Sequence, residues 1–199
     1  MNRASEKTDL SSLAPWRLCV RRSALRLFRW SRNVFAVIGF VFVVFKLCFE
    51  LTVVVSESMS PTLQGSSYET GDWVLTEKVT YRFRRPRRWE VIACRQNDGT
   101  KVMKRVAGLP GEHIRMTKGA LFIDGTRLSK PPTLRNIKYL AYGNLHRGRS
   151  VPCEDGFYVL GDLSWDSNDS RFEGPVPKER VRGRALAIVW PPGRLGWLD

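Results

Sequence analysis

Three short blocks of the chain hold residue types that could support a chemical reaction. Residues 56–63, SESMSPTL, form a serine-rich turn, and residues 101–112 place Lys104 in an apolar, strand-like setting. Residues 161–171, GDLSWDSNDSR, make a loop rich in Gly, Asp and Ser. Taken alone, the blocks have ordinary explanations, which are a solvated turn, a snorkelling lysine and a calcium-binding loop. The calcium interpretation is weak, because the loop lacks the twelfth-position Glu of an EF-hand and has no flanking helical pattern.

In this order, the three blocks resemble the type I signal peptidase (leader peptidase) family, which includes the mitochondrial inner membrane protease subunits. The family runs from an N-terminal anchor to Ser-x-Ser-Met-x-Pro-Thr, Gly-Asp, Lys-Arg-Val-x-Gly-x-Pro-Gly-Asp/Glu and Gly-Asp-Asn-x-x-x-Ser-x-Asp-Ser-Arg. The matching segments here are residues 56–62, 71–72, 104–112 and 161–171, with 181–192 resembling the closing strand. The resemblance covers roughly residues 34–192.

Matched residue by residue, the resemblance implies a serine protease with a Ser–Lys dyad. Ser58, which precedes Met59, matches the nucleophile, and Lys104, which precedes Arg105, matches the general base. Ser56 matches a serine whose hydroxyl forms the oxyanion hole together with the backbone N–H of the nucleophile.

The resemblance also implies supporting roles in residues 161–171. Ser167 matches a serine that hydrogen-bonds the lysine amine, and Asp169 with Arg171 matches a structural ion pair that holds the loop. Leu163 departs from the family, which usually has Asn there, so the resemblance assigns no polar role to that position. It implies no metal and no organic cofactor.

The chemistry of the dyad agrees with the setting of the two residues. A serine hydroxyl needs an adjacent base to become a nucleophile, and Ser–Lys is a recognised variant of the catalytic triad. Neither of the two histidines, His113 and His146, is placed as in the usual triads. A lysine acts as a base only when it is neutral, and burial would lower its pKa from about 10.4. Its apolar neighbours are Val102, Met103, Val106 and Ala107.

The composition limits the class of protein. With 199 residues and 43% apolar content, the chain fits one domain with a short appendage. A formal net charge of +14 favours association with a polyanion, either nucleic acid or an anionic lipid surface. Of the four cysteines, Cys94 and Cys153 are the pair outside the N-terminal region that could form a disulfide.

An apolar run near the N-terminus predicts a membrane anchor. Residues 34–45, VFAVIGFVFVVF, are uninterrupted, and residues 33–52 reach the roughly 20 residues that a span needs. In a helix, Lys46 and Glu50 would lie four residues apart on one face and could pair. A buried helix of a soluble domain and a cleaved secretory signal are the alternatives, although no small-residue cleavage site follows the run.

The flanking charges predict the orientation of this anchor. Residues 1–32 are polar and basic, and Lys and Arg close to a span stay on the cytoplasmic side. We therefore expect residues 1–32 inside and the domain after about residue 53 outside, on a single-pass protein. Mitochondrial transit peptides contain few acidic residues, so Glu6 and Asp9 argue against one here. This favours the bacterial cytoplasmic membrane over the mitochondrial inner membrane.

From residue 52 onward the pattern predicts short β-strands separated by turns. No segment after residue 60 keeps a 3.6-residue period over three turns, so residues 53–199 should form a mostly β domain. Residues 120–128, ALFIDGTRL, predict a hairpin with an Asp-Gly turn. Residues 129–153 look irregular, and the resemblance implies an inserted segment at about 113–153. The predicted strands are 52–55, 73–75, 90–94, 120–123, 157–160 and 185–190, with a further half-buried strand around Lys104.

The sequence YRFRRPRRW, residues 81–89, is named here the basic loop. Arginines interleaved with aromatic residues suit either a nucleic-acid surface or a lipid headgroup layer. Because the protein is expected to be tethered to lipid, a lipid-facing or solvated loop is favoured over nucleic acid.

The patterns predict a mostly antiparallel β-sheet domain on one N-terminal transmembrane helix and association with anionic membrane lipids. The resemblance implies that this domain is a serine endopeptidase and that its partners are preprotein signal peptides, cleaved after small residues. A mitochondrial inner membrane protease subunit and a membrane-tethered basic binding protein without catalysis are the alternatives. A self-cleaving repressor-type Ser–Lys peptidase is disfavoured, because the first 33 residues are too short for a DNA-binding domain.

Overall fold

The computed structural model describes residues 14–198, with side chains from residue 28 onward. Residues 1–13 lie outside this range, so the predicted basic segment 1–32 is described only in part. Contacts along the chain divide it into two units, Met1–Lys46 and Leu47–Asp199.

A single long helix, α1 (Ala14–Cys48), precedes the β-rich part of the chain. Within the described residues, its stretch Phe28–Cys48 is the one helical segment long and apolar enough to cross a membrane, with a mean hydropathy of 1.8. Its 21 residues rise about 31 Å at 1.5 Å per residue, close to the roughly 30 Å of a bilayer core. None of this stretch is buried in the structure. The predicted candidate span is therefore present.

The helix ends at Cys48 rather than at residue 52, where the predicted anchor ends. Residues Phe49–Val53 form strand β1, because their backbone groups pair with Trp73–Glu77, strand β2. Glu50 was predicted to lie on the helix with Lys46. It lies instead on β1, where its carboxylate is 2.5 Å from Lys101 Nζ.

The second unit is built on two antiparallel sheets, which confirms the predicted fold class. The strands after β2 are β3 (Val91–Arg95), β4 (Lys101–Gly108), β5 (His113–Thr117), β6 (Ala120–Ile123), β7 (Thr126–Arg127), β8 (Ser150–Pro152), β9 (Tyr158–Leu160), β10 (Val181–Trp190) and β11 (Gly196–Trp197). The first sheet has the order β1-β2-β10-β3-β4-β9, with β11 paired to β10, and the second has the order β7-β6-β5-β8. Two four-residue helices lie between strands, α2 (Thr80–Phe83) and α3 (Ser170–Glu173).

The predicted hairpin is formed by β6 and β7. Asp124 and Gly125 have φ values of 47° and 82°. Positive φ at both central residues is typical of the type I′ turn that an Asp-Gly pair favours between two antiparallel strands. Strand β6 has both predicted ends, whereas each of the other strands predicted with bounds differs at one or both ends, by one to four residues.

Among the described residues, buried apolar side chains form three clusters, and one of them joins the two sheets. This cluster contains Ile114 and Met116 of the second sheet and Leu160 of the first, while another contains Val74 and Met103 of the first sheet. Cys153 lies in the former cluster and Cys94 in a third, with Ile92 and Phe157. Both thiols are free, so the candidate disulfide is not formed.

Candidate active site

A short turn that follows β1 carries Ser58. Glu57–Met59 forms one 3₁₀ turn, and Ser56 caps it by accepting a hydrogen bond from the Ser58 N–H. Met59 and Leu63 are buried, with exposures of 1% and 0%, in the cluster that also contains Met103. Because apolar side chains after Ser58 are fixed in this core, the turn holds Ser58 at the edge of the first sheet.

Strand β4 brings Lys104 to the hydroxyl of Ser58. Lys104 lies on an interior strand, which pairs with β3 on one side and β9 on the other, and only 2% of the residue is exposed. The distance from Lys104 Nζ to Ser58 Oγ is 2.5 Å. The two residues predicted as the dyad, separated by 46 positions, are therefore in direct contact.

The surroundings of Lys104 favour its neutral form. Burial lowers the pKa of Lys104, because desolvation penalises the ammonium ion more than the amine. The carboxylates of Asp169 and Asp162 act in the opposite direction, while the charge of Arg171 adds to the lowering. A neutral amine at this distance can accept the proton of the serine hydroxyl, which is the action of a general base.

Ser56 lies beside Ser58. Its Oγ is 3.0 Å from Ser58 Oγ and accepts the Ser58 N–H at 3.4 Å. The two groups that the resemblance assigned to an oxyanion hole are thus adjacent, although here the N–H donates to the hydroxyl. A substrate carbonyl oxygen would have to replace Ser56 Oγ as the acceptor of this N–H.

Ser167 does not bond to the lysine as the resemblance implied. Its hydroxyl donates instead to Asp169 Oδ2 at 2.8 Å. Ser167 nevertheless lies close to the turn of Ser58. A Cβ on Gly161 would come within 2.1 Å of Ser167 Oγ and 2.5 Å of the Ser58 carbonyl oxygen. Only glycine at position 161 permits this approach of the two segments.

Asp169 and Arg171 form the ion pair that the resemblance implied. Arg171 Nε and one terminal nitrogen each lie 2.8 Å from a carboxylate oxygen of Asp169, and both side chains have 0% exposure. Asp169 also accepts the Gly161 N–H at 2.8 Å and caps α3. This pair connects the end of β9 to α3 and holds the loop in place.

A second buried ion pair was not predicted. Arg105 binds Asp162 in a bidentate manner, at 2.9 and 2.7 Å, with side-chain exposures of 1% and 0%. The same carboxylate accepts the hydroxyls of Thr62 at 2.6 Å and Tyr139 at 3.0 Å. We name Thr62, Arg105, Tyr139 and Asp162 the clasp. It joins the segment after Ser58, the strand of Lys104 and the 161–171 loop.

Comparison with known proteins agrees with this arrangement of blocks. Residues 27–190 match the family described as "Signal peptidase, peptidase S26". The chain belongs to the signal peptidase family. All three blocks of the site lie inside the matched range.

Individual signal peptidases share much of the chain. "Signal peptidase I" of Leptolyngbya laminosa is 36% identical over 163 residues, which cover 75% of this chain and 72% of that protein. "Probable signal peptidase I-2" of Synechocystis sp. is 35% identical over 156 residues, 75% of this chain and 66% of that protein. "Mitochondrial ATP-independent inner membrane protease subunit 1b" of Arabidopsis thaliana is 30% identical over 136 residues, 67% of this chain and 66% of that protein.

Leu163, the residue that departs from the signal peptidase pattern, contributes through its backbone. Its N–H donates to the Ser58 carbonyl at 3.0 Å. This contact does not require a polar side chain, which explains how leucine is accommodated. The clasp could have been found in the sequence, since Thr62, Arg105 and Asp162 all stand inside the three signal peptidase blocks. Tyr139 stands outside them and carried no signal.

A cleft of about 140 Å³ opens beside Ser58. One wall is formed by residues 52–56 and the other by residues 100–103, and most of the lining is apolar. Its lining residues include Val53, Val55, Met59, Val102 and Met103.

Proposed function

We propose that the chain is a type I signal peptidase, a membrane-bound serine endopeptidase that cleaves N-terminal signal peptides from exported preproteins with a Ser58–Lys104 dyad. The observation that carries this proposal is the 2.5 Å contact between Ser58 Oγ and the buried Lys104 Nζ. Membership of the signal peptidase family and the names of the relatives support the substrate class.

The first step is attack on the peptide bond. Lys104 Nζ takes the hydroxyl proton of Ser58 while Ser58 Oγ bonds to the substrate carbonyl carbon. The carbonyl oxygen becomes an oxyanion, which the Ser58 N–H and the Ser56 hydroxyl would stabilise. A single side-chain donor of this kind contributes roughly 2.7–4 kcal/mol to the transition state.

The second step releases the mature protein. The Lys104 ammonium gives its proton to the leaving nitrogen as the C–N bond breaks, which leaves an acyl ester on Ser58 and a neutral lysine. Water then attacks the ester carbonyl carbon while Lys104 takes one of its protons, and Lys104 passes this proton to Ser58 Oγ as the signal peptide leaves with a free carboxyl group. The original Ser58 proton therefore ends on the new amino terminus, and a proton from water replaces it.

Cleavage after small residues is what the resemblance to the signal peptidase family implies. The cleft of about 140 Å³ next to Ser58 is the place where these residues would bind. Valines and methionines on the walls favour apolar groups over charged ones. Ala-x-Ala sequences meet both requirements.

We further propose that Phe28–Cys48 spans the bacterial cytoplasmic membrane once, with the β domain on the outer face. The length and apolar composition of this stretch support a span. The arginines before it support retention of the N-terminus in the cytoplasm. The relative named as a mitochondrial inner membrane protease keeps that membrane as the alternative.

Incubation of the purified protein with a preprotein, with the cut site read by mass spectrometry, tests the activity. Ser58→Ala should abolish cleavage, because it removes the nucleophile. Ser56→Ala should still cleave, but its kcat should be lower by about 10²–10³-fold, because one oxyanion donor is lost. Ser60→Ala, in the same turn, is the matched control and should cleave normally. Normal cleavage by Ser58→Ala would contradict the dyad, whereas no cleavage by the natural protein would favour a tethered binding protein without catalysis.

A further inference from the structure

The segment just before the basic loop contacts the last residue of the candidate span. The Lys78 N–H donates to the carbonyl of Cys48, the last residue of α1, at 2.8 Å. In the pairing of β1 with β2, Phe49 lies opposite Glu77. Helix α2 starts at Thr80, two residues after Lys78. The basic loop, which starts at Tyr81, therefore begins three residues after a backbone contact with the last residue of the candidate span.

Two buried carboxylates fix the shape of this loop. Glu77 Oε1 accepts the N–H groups of Val79 and Thr80, the latter at 2.7 Å. At the other end, Glu90 binds Arg84 at 2.6 Å and accepts the Tyr81 hydroxyl at 2.9 Å. Arg87 donates its backbone N–H to Glu90 at 2.9 Å. A loop tied at both ends presents its outer side chains in a fixed arrangement.

The arginines of the loop divide into two groups. Arg84 is paired with Glu90, and Arg88 lies 2.5 Å from Glu112, so these two charges serve the fold. Arg82, Arg85 and Arg87 are exposed. Between them, Phe83 is 85% exposed, the highest exposure among the large apolar residues of the described chain.

We propose that the basic loop docks on the headgroup layer of an anionic phospholipid bilayer. Phe83 would enter the interface, and Arg82, Arg85 and Arg87 would bind headgroup phosphates. Aromatic rings settle at this depth, and clustered arginines next to a span attract anionic lipid. The proposal rests on the proposed anchoring of Phe28–Cys48. A nucleic acid is disfavoured, because one exposed ring offers no platform for successive bases.

The test uses the full chain in vesicles, with Cys19→Ser and Cys48→Ser, so that the buried Cys94 and Cys153 are the natural cysteines that remain. Phe83→Cys is labelled with the environment-sensitive fluorophore NBD. A second protein carries the label at Arg127→Cys, an exposed site in the β6–β7 hairpin. The vesicles contain phosphatidylcholine alone or with 30% phosphatidylglycerol, each with and without a lipid that carries a nitroxide quencher at shallow depth.

Docking predicts that the label at position 83 emits at shorter wavelength and is quenched at least twofold more strongly than the label at position 127. The quenching at position 83 should increase with phosphatidylglycerol. In this labelled protein, Arg82→Gln, Arg85→Gln and Arg87→Gln together should remove that increase, whereas Arg127→Gln, Arg135→Gln and Arg149→Gln, which remove the same charge from exposed positions, should not. Equal quenching at positions 83 and 127, or an effect of both triple variants, would overturn the proposal.

The outcome is separable from that of the proposed function. Cleavage of a preprotein by the same proteoliposomes reports on the Ser58–Lys104 dyad alone. Solvent-exposed emission at position 83 in proteoliposomes that cleave would reject docking and leave the protease intact. Quenched emission without cleavage would support docking and reject the protease. A chain that fails to enter vesicles would reject the anchoring, and docking with it.

Discussion

At the scale of single residues, Lys104 combines contact with the nucleophile and a setting that disfavours its charge. The sequence predicted both, because the motif around Lys104 resembles a known base and its neighbours are apolar. The hydrogen bond of Ser167 was not predicted correctly. A motif identifies which residues meet, whereas the choice between an amine and a carboxylate as partner depends on distances that only the fold defines.

Lys104→Arg should be inactive, with kcat/KM at least 10³-fold lower. A guanidinium keeps its proton at any accessible pH and cannot accept the proton of Ser58. Lys118→Arg, an exposed lysine in the turn between β5 and β6, is the matched control and should cleave normally. Circular dichroism would establish that both variants are folded. A folded Lys104→Arg protein with near-normal turnover would show that another group is the base.

The lowered pKa of Lys104 should make stability depend on pH. Between the folded pKa of this lysine and its ordinary value of 10.5, the unfolded chain binds the extra proton. Raising the pH through this window therefore increases the free energy of unfolding, with a slope of at most about 1.4 kcal/mol per pH unit. Denaturant titrations should show this rise in the natural protein and not in Lys104→Met.

The loss of the Lys104 proton should also appear in the pH dependence of catalysis. Because the neutral amine is the active form, kcat/KM should increase with pH along an acidic limb whose midpoint lies below 10.5. A midpoint at or above that value would contradict the lowered pKa. A rise in unfolding free energy that persists in Lys104→Met would assign the stability effect to another group.

At the scale of elements, local patterns located most strands and the hairpin but missed two strands of the second sheet. Strand β5 has the alternation of a half-buried strand, with Ile114 and Met116 buried between more exposed neighbours. Its five residues are few, and they follow a Pro-Gly turn that resembles a loop. Strand β8 contains Pro152 and pairs with β5 over three residues, so its strand character comes from tertiary contacts.

The end of α1 also depends on tertiary contacts that local sequence patterns do not show. Residues 49–52 continue the apolar composition of the helix, so composition alone extended the anchor over them. Pairing of β1 with a strand more than 20 residues later decides otherwise. The three sequence blocks, in contrast, determined the site well, since their residues meet through the clasp and the Asp169–Arg171 pair.

The clasp should be a large contributor to stability. Asp162→Ala leaves the Arg105 guanidinium buried without its carboxylate, which costs about 3–5 kcal/mol in the free energy of unfolding. Asp166→Ala, an exposed aspartate in the same loop, should change it by no more than about 0.5 kcal/mol. Denaturant titration of both variants provides the measurement. A small effect of Asp162→Ala would mean that the clasp positions the blocks without stabilising the fold.

At the scale of the whole molecule, the arginines behind the net charge of +14 fall into two groups. Some, such as Arg105 and Arg171, are neutralised in buried ion pairs that build the site. Others precede the candidate span or surround Phe83, and these are the arginines that the proposed anchoring and docking would bring to a membrane. The composition shows the excess of positive charge, but it does not show which arginines are buried in ion pairs. That depends on where the fold places the aspartates and glutamates.

The orientation of the chain should depend on the arginines before the span. A reporter fused at Asp199 should be protected from cytoplasmic labelling, and one fused at Met1 should be labelled. Changing Arg21, Arg22 and Arg26, which precede the span, together with Arg29 and Arg32 at its N-terminal end, to Gln should give a mixed population, because the charge difference across the span largely disappears. Arg127→Gln, Arg135→Gln and Arg149→Gln, which lie in the β domain, should leave the orientation unchanged, since long domains translocate largely regardless of charge. Cytoplasmic labelling of the Asp199 fusion in the natural sequence would place the β domain inside, and Ser58 would then lie on the wrong face to meet exported preproteins.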